Sequence, residues 1–365
     1  MAKQPKKYWE EYSNLQRVKH ELIRNYLNGW LPKLTLGAYG SGRVLYFDTH
    51  AGRGTHAHGQ LGSPLLALKT ILEHRSFPSL KSEVKFFFIE NDAENHALLE
   101  KELKTFGKLP DNVEVHCEHG DCFEVLRDLV ESLNEKGKQL APSFVFCDPF
   151  GFTVPFSLLA ELMRFKRVEL FVNVIWRELD MAIAQGRDGH AGLTKTLDSV
   201  FDGDDWKNID AADFDARAEQ CVQLLRKKIG AEWATYIRML GPNDTTRYFL
   251  LHLTNHDRGR EYMKECMWKS CPEDGYYARI KDNPRQQYLI KPEPDLSDLE
   301  SLVIKRLSVK DERWQDLIEA MREEIWLPKH LNEVVRALRK EGAIEGKEYS
   351  STFNPSNNPL LSLTK

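Results

Sequence analysis

The chain has 365 residues, is 41% hydrophobic and 29% charged, and carries a formal net charge of −4. That length implies two domains, or one large α/β domain with an appendage. The near-neutral balance excludes a dedicated non-specific nucleic-acid binder, so any contact with nucleic acid must come from a local patch.

The N-terminus, MAKQPKKYWEEYSNLQ, is basic but has no apolar core, so it does not read as a secretory signal. No stretch approaches the ~18 apolar residues of a membrane span. The six cysteines are scattered. They fit reduced thiols in the cytoplasm better than a disulfide framework.

Residues 17–31 (RVKHELIRNYLNGWL) predict an amphipathic helix, with Val18, Leu22, Tyr26 and Leu27 at helical spacing and Pro32 helping to end it. Residues 43–48 (RVLYFD) predict a strand that runs into a glycine-rich loop. Ser63 and Pro64 predict a helix start, with Ser63 as cap, and that helix runs to Leu72. Strands follow at 84–90, 113–116, 143–148 and 168–174, with helices at 92–106 and 122–135 between them. This alternation predicts a parallel sheet covered by helices on both faces, with ligands at the C-terminal strand ends.

Residues 176–230 are less regular. TYIRML and RYFLLHLT, joined by Gly241-Pro242-Asn243-Asp244, predict an antiparallel hairpin at the end of the otherwise parallel sheet. A helix at about 257–270 follows. KPEPDLSD (291–298) reads as a linker. Helices at 297–308, 312–324 and 328–341 and a β-like GAIEGKEY tail then predict a winged helix. The expected division is a methyltransferase-like domain at 1–294 and a winged-helix-like domain with a tail at 295–365.

Four motifs carry the chemistry, each at a strand end. In VLYFDTHAGRG (44–54), Asp48 closes the strand, and Gly52 and Gly54 allow positive φ and close backbone approach to a ligand. Any tight strand-to-helix turn would also use such glycines. In FFFIEND (86–92), Glu90 stands where a carboxylate accepts both ribose hydroxyls of a bound adenosine. An NAD site uses an acid at the same place, and a solvated strand-end acid is the plainer alternative. In HGDCFEVL (119–126), Asp121 can bind an adenine amine or simply cap the helix that Cys122 starts. In FVFCDPFGF (144–152), Asp148 and the Pro149 region can accept hydrogen bonds from a target amine while Phe150 stacks on an extruded base. A turn made by Asp148-Pro149 is the competing explanation. The fuller amino-methyltransferase pattern has a second proline and a tyrosine where Phe150-Gly151 stand.

Other chemistries fit less well. His50, His56 and His58 have no partner cysteine or acid at zinc spacing and read as polar loop residues near the substrate mouth, so no metal is expected. Cys147 precedes Asp148 inside a strand and should point the other way, which argues against cytosine-C5 chemistry. There is no P-loop. In LPKHLNEVVRALRKEG (327–342), a recognition helix would present Lys329, His330, Asn332, Arg336, Arg339 and Lys340 to nucleic acid. A protein-docking face is the alternative.

Taken together, KHELIRNYLNGWLP, FDTHAGRG with GSPLLAL, FFFIEND, FCDPFGF, LFVNVIWRELDMAI, LDSVFDGDDW and RYFLLHLTNHDRGREYMKECMWK resemble the three-Cys-motif partner protein family. The resemblance covers most of the first 270 residues. It implies a class I, Rossmann-like S-adenosylmethionine (SAM) methyltransferase fold. It also implies association with a separate three-cysteine, radical-SAM-like protein. The family loop usually has an aromatic residue where this chain has His50. The leading expectation is a SAM-dependent methyltransferase acting on an exocyclic amine of a DNA or RNA base. Asp48, Gly52, Gly54, Glu90, Asp121 and Cys122 would hold the cofactor, and Asp148, Pro149 and Phe150 the target. Lys329, Arg336, Arg339 and Lys340 would hold nucleic acid. The rival is a non-catalytic accessory partner of the three-Cys protein. A transcription factor with a relic core and an NAD enzyme stand behind it.

Overall fold

The computed structural model describes residues 9–36, 42–282, 293–347 and 353–364. The chain divides into two compact units: Met1–Cys266 with Tyr277–Gln287, and Met267–Tyr276 with Tyr288–Lys365.

The first unit opens with helix α1 (Asn14–Thr35). Ser13 and Gln16 form a reciprocal capping box at its start. Pro32 does not end it, as expected from sequence, but sits in its last turn. Proline has no N–H for the carbonyl four residues back. His74 Nε2 meets that Asn28 carbonyl at 2.9 Å instead, so the acceptor is not left unmade.

Strand β1 (Arg43–Asp48) is buried from Val44 onward. Helix α2 (Ser63–Leu72) is capped by Gly62 rather than Ser63, which is its first helical residue. The reason is close packing: Gly62 N donates to Gly54 O at 2.6 Å, and a Cβ on Gly62 would lie 2.9 Å from that oxygen. Strand β2 (Glu83–Glu90), helix α3 (Ala93–Lys104), strand β3 (Val113–His119), helix α4 (Cys122–Glu135) and strand β4 (Ser143–Cys147) follow. Helix α5 (Phe156–Met163) leads to strand β5 (Val168–Val174), which is buried at every position, as a strand covered on both faces should be. The irregular stretch predicted at 176–230 contains helices α6 (Trp176–Arg187), α7 (Ala191–Phe201) and α8 (Phe214–Ile229). Strands β6 (Trp233–Leu240) and β7 (Thr246–Thr254) pair antiparallel across the predicted turn. Helix α9 (Asp257–Ser270), whose residues from Met267 on belong to the second unit, and strand β8 (Tyr277–Arg279) come last.

The strand order is β3-β2-β1-β4-β5-β7-β6-β8. Strands β1 to β5 pair parallel, and β7 runs antiparallel to both neighbours, β5 and β6. A reversed strand inserted between β5 and β6 marks the class I methyltransferase variant of the Rossmann-like sheet. The chain order changes direction at β1, between β2 and β4, which is the switch point where ligands bind in such sheets. Among the described residues no helix is long and apolar enough to cross a membrane.

The second unit has helix α10 (Ser297–Leu307), strand β9 (Glu312–Arg313), helix α11 (Trp314–Ala320), helix α12 (Pro328–Lys340), and strands β10 (Ile344–Lys347) and β11 (Leu360–Leu363). The strands form a sheet in the order β10-β11-β9. The helix expected over 312–324 is therefore shorter, and its first two residues pair with β11. Leu299, Val303, Leu317, Leu331, Val335 and Leu361 belong to its own core. Residues 267–276 also belong to this unit, although the sequence placed the division at 294/295. Trp268 accounts for the difference. Its Nε1 donates to Ile325 O at 2.8 Å, and its ring stacks on Trp326 and meets His330 edge-on at 4.5 Å. Residues 291–292 of the expected 291–298 linker and 348–349 of the GAIEGKEY tail lie outside the described residues; 293–296 have no regular structure, and Ser297 and Asp298 already belong to α10.

Candidate functional site

The ends of β1, β2, β3 and β4 bring the four motifs to one edge of the sheet. Asp48 ends β1 and is fully buried. His50 N donates to its Oδ1 at 3.3 Å, while Oδ2 is buried without a hydrogen-bond partner. Burial pushes the Asp48 carboxyl up to about 7, and nearby Asp148 adds to that; the Ser63 hydroxyl and the His50 N–H pull the other way. A folded-state value above the unfolded one means that Asp48 costs stability as pH rises. Asp48→Asn is therefore expected to stabilise the protein, by about 1–3 kcal/mol at pH 8. The gain should grow between pH 4 and 7 and level off above. Denaturant unfolding at pH 5 and pH 8 checks this, and an equal gain at both would show that Asp48 does not titrate in that window.

Glu90 ends β2 and accepts two backbone bonds, Gly52 N on Oε2 and Asp92 N on Oε1, each at 2.7 Å. It thus ties the second strand to the glycine turn. Gly54, at φ +89°, is in a conformation that side-chain-bearing residues avoid, and a Cβ there would press on Leu65 and Leu99. Asp121 caps α4, accepting from Phe123 N at 2.8 Å, so the capping role foreseen for it is real. Cys122 is buried, its Sγ lies 3.6 Å from His50 Nε2, and burial pushes its thiol far up, which leaves it unreactive. His50 is held down at about 4 by burial and is neutral. Its ring meets Phe123 edge-on at 5.8 Å, so the imidazole packs as an aromatic residue would.

His56 does not belong to a polar mouth. It is 4% exposed, packed among Trp9, Tyr12 and His20. His58 is exposed. Among the described residues no group of His, Cys, Asp and Glu is arranged to hold a metal ion.

Asp148, Pro149 and Phe150 follow β4 and line a cavity of about 690 Å³. Lys19 and Asn173, both buried, share it, and Arg177, Glu178 and Arg247 lie at its exposed positions. Sequence reasoning missed Lys19 and Asn173. Lys19 forms an ion pair with Asp148 Oδ2, and Asn173 Nδ2 donates to Asp148 Oδ1 at 2.6 Å. A signal existed for both. Lys19 falls on the apolar stripe of Leu15, Leu22 and Tyr26, and Asn173 is polar within a strand buried throughout. Cys147 is buried, with its thiol pushed up to about 12 by burial.

In the second unit, Lys329, Arg336 and Lys340 are exposed, and their spacing along α12 puts them on one face. Arg339 is half-buried beside them. Two residues expected on that face are structural instead. His330 is 2% exposed and held down at about 4 by burial, and Asn332 Oδ1 accepts from Trp314 Nε1 at 2.8 Å.

No family model and no curated protein matches the sequence. Among solved structures, the chain is similar to Trm1 from Pyrococcus horikoshii in complex with S-adenosyl-L-methionine. The identity is 13% and the TM-score 0.40, over 100% of this chain and 95% of that one. It is similar to a SAM-dependent methyltransferase from Agrobacterium tumefaciens (12%, TM-score 0.33, 66% and 62% covered). It is also similar to the human methyltransferase 10 domain containing protein (15%, TM-score 0.27, 64% and 82% covered). At such scores the fold assignment rests on the strand order itself.

Proposed function

We propose that the chain is a SAM-dependent methyltransferase acting on an exocyclic amine of a nucleic-acid base, in the three-Cys-motif partner protein family. The observation that supports this most is convergence. Asp48, Glu90, Asp121 and Asp148 stand at the C-terminal ends of four parallel strands, where open α/β sheets bind ligands. The buried Asp48 carboxyl and the positive-φ turn at Gly52 and Gly54 suit a cofactor that brings an amino group and a carboxylate.

In this reading Asp48, Gly52 and Gly54 hold the methionine moiety and Glu90 the ribose. Asp121 and the start of α4 at Cys122 face the adenine. The bound cofactor supplies an activated methyl group. Asp148 and the Pro149 region receive the target amine, and Phe150 stacks on its base. The helix–strand–helix–helix–strand–strand order of the second unit supports a winged helix, with Lys329, Arg336, Arg339 and Lys340 on phosphates. The six free thiols suit a reducing, cytoplasmic setting.

Transfer of radiolabelled methyl from SAM to DNA or RNA, followed by nucleoside digestion, tests the reaction. Label in an N-methylated base, lost in Asp148→Ala, is expected. Reversing Lys329, Arg336 and Lys340 to glutamate should weaken nucleic-acid binding and flatten its log–log salt slope by about 2. An unchanged slope would remove α12 from the interface.

A second reading is a cofactor-binding protein that serves a radical-SAM-like partner; the shortened Asp148-Pro149-Phe150-Gly151 motif and the engagement of both Asp148 oxygens by Lys19 and Asn173 favour it. SAM binding without methyl transfer, together with a co-purifying three-cysteine protein, would favour it.

A further inference from the structure

Asn173 is out of character for its place. It lies one residue before the end of β5, is 6% exposed, and its Oδ1 is buried without a hydrogen-bond partner. It lines the cavity that Asp148 and Phe150 line. The direction of its amide is fixed by charge. Nδ2 points at Asp148 Oδ1, 2.6 Å away, and flipping the amide would put two acceptors face to face. Asp148 is in turn held by the buried ammonium of Lys19. Lys19 therefore orients Asp148, and Asp148 orients Asn173. The carbonyl of Asn173 is left facing a donor that the resting chain does not supply. Buried acceptors in native proteins almost always have a partner, and Asn173 lines a cavity with room for a bound molecule to supply one.

We propose that Asn173 Oδ1, in place of the Pro149 region, accepts one N–H of the target amine while a remaining lone pair of Asp148 accepts the other, with Lys19 as a positioning residue. This rests on the methyltransferase reading and narrows its substrate to an uncharged, planar amine. An NH2 group offers two donors to two acceptors on adjacent strand ends. A hydroxyl has one hydrogen and would leave one acceptor unmade. An alkylammonium would meet the Lys19 ammonium, like charge against like. A nucleobase amine needs no proton removed before it attacks, only its lone pair directed.

The test measures binding of five-nucleotide single strands in the presence of S-adenosylhomocysteine. One pair carries adenine or purine at the central position, and a second carries cytosine or pyrimidin-2-one, so each pair differs by one amino group. Wild type is expected to prefer one amine-bearing strand over its partner by about tenfold or more. Asn173→Ala and Asn173→Ser should lose that preference while binding the amine-less strand as wild type does. Lys19→Met should lose part of it and Lys19→Arg keep it. S-adenosylhomocysteine affinity, measured on each variant, reports that the fold is intact. An undiminished preference in both Asn173 variants overturns the Asn173 assignment and leaves the methyltransferase reading standing. An undiminished preference in Lys19→Met overturns the positioning role of Lys19. Equal or absent binding of both strands in each pair by wild type removes the amine reading, and this proposal with it.

Discussion

Glu90→Ala is expected to weaken SAM binding by about a hundredfold in calorimetry. Two ribose hydroxyls donating to a carboxylate contribute about 1.5 kcal/mol each or more, and ~3 kcal/mol is about a hundredfold in affinity. A second effect adds to the first. Glu90 now accepts Gly52 N and Asp92 N, so its removal also frees the glycine turn that must meet the methionine end. Glu90→Gln is not a gentle substitute. Its amide nitrogen would face one of those two N–H groups, donor against donor. Because each oxygen already takes one bond, the ribose must use the remaining lone pairs, and the carboxylate fits only if both sets are made. Binding at wild-type strength in Glu90→Ala, with an unchanged melting temperature, would remove Glu90 from the cofactor site.

The same residue shows what a sequence can and cannot disclose. Strands buried on both faces and bounded by turns are legible from local pattern alone: β1 and β5 fall at their expected bounds, as do α4 and α9. The strand-end acids were legible for the same reason, since the end of each apolar run is where a sheet of this type places its ligands. What locality hides is partnership. Nothing near Glu90 announces that Gly52, 38 residues away, donates to it. Nothing near Asp148 points to Lys19, 129 residues earlier. The two-residue β9 falls within the expected helix because, among the described residues, its sheet partner is β11, almost fifty residues on, at Leu360 and Leu361. His330 looked like a ligand-facing residue because its burial depends on Trp268, which lies in a different part of the sequence.

Helix α1 and strand β5 show how those long-range partners work together. Along β5, Glu169, Phe171 and Asn173 share one face, since side chains alternate. Lys19 and Tyr26 lie seven positions apart on one stripe of α1, a rise of about 10.5 Å. Glu169 and Asn173 are four strand residues apart, about 13 Å. The helix therefore spans the strand. Its Lys19 reaches Asp148 beside Asn173 at one end, and its Tyr26 and Trp30 reach Glu169 at the other. A slide of the helix by one turn would break both polar contacts at once. The buried polar pair at the far end thus fixes the register that delivers Lys19 to the site.

That dependence makes Glu169 the position with the largest expected effect on stability. Its carboxylate is 6% exposed and takes the Tyr26 hydroxyl, Trp30 Nε1 at 3.1 Å and His252 Nε2 at 3.0 Å. Glu169→Ala strands three donors in the core and is expected to cost about 3–5 kcal/mol in denaturant unfolding. Glu169→Gln keeps an acceptor and should cost less, but it removes the charge opposite His252. Burial alone would raise the Glu169 carboxyl; the bonds from His252 and Tyr26 outweigh it and hold the group below its ordinary 4.5. A folded-state value below the unfolded one contributes stability above pH 4.5 that is lost as pH falls through the folded value. Wild type should therefore lose stability below pH 4.5 more steeply than Glu169→Gln. Equal slopes would mean that Glu169 folds without its charge. Because Glu169 lies at the opposite end of β5 from Asn173, SAM affinity in folded Glu169→Gln should stay near wild type, while the loosened register of α1 should cost the variant part of the amine preference assigned to Asn173. An undiminished preference would show that Glu169 does not set the position of Lys19.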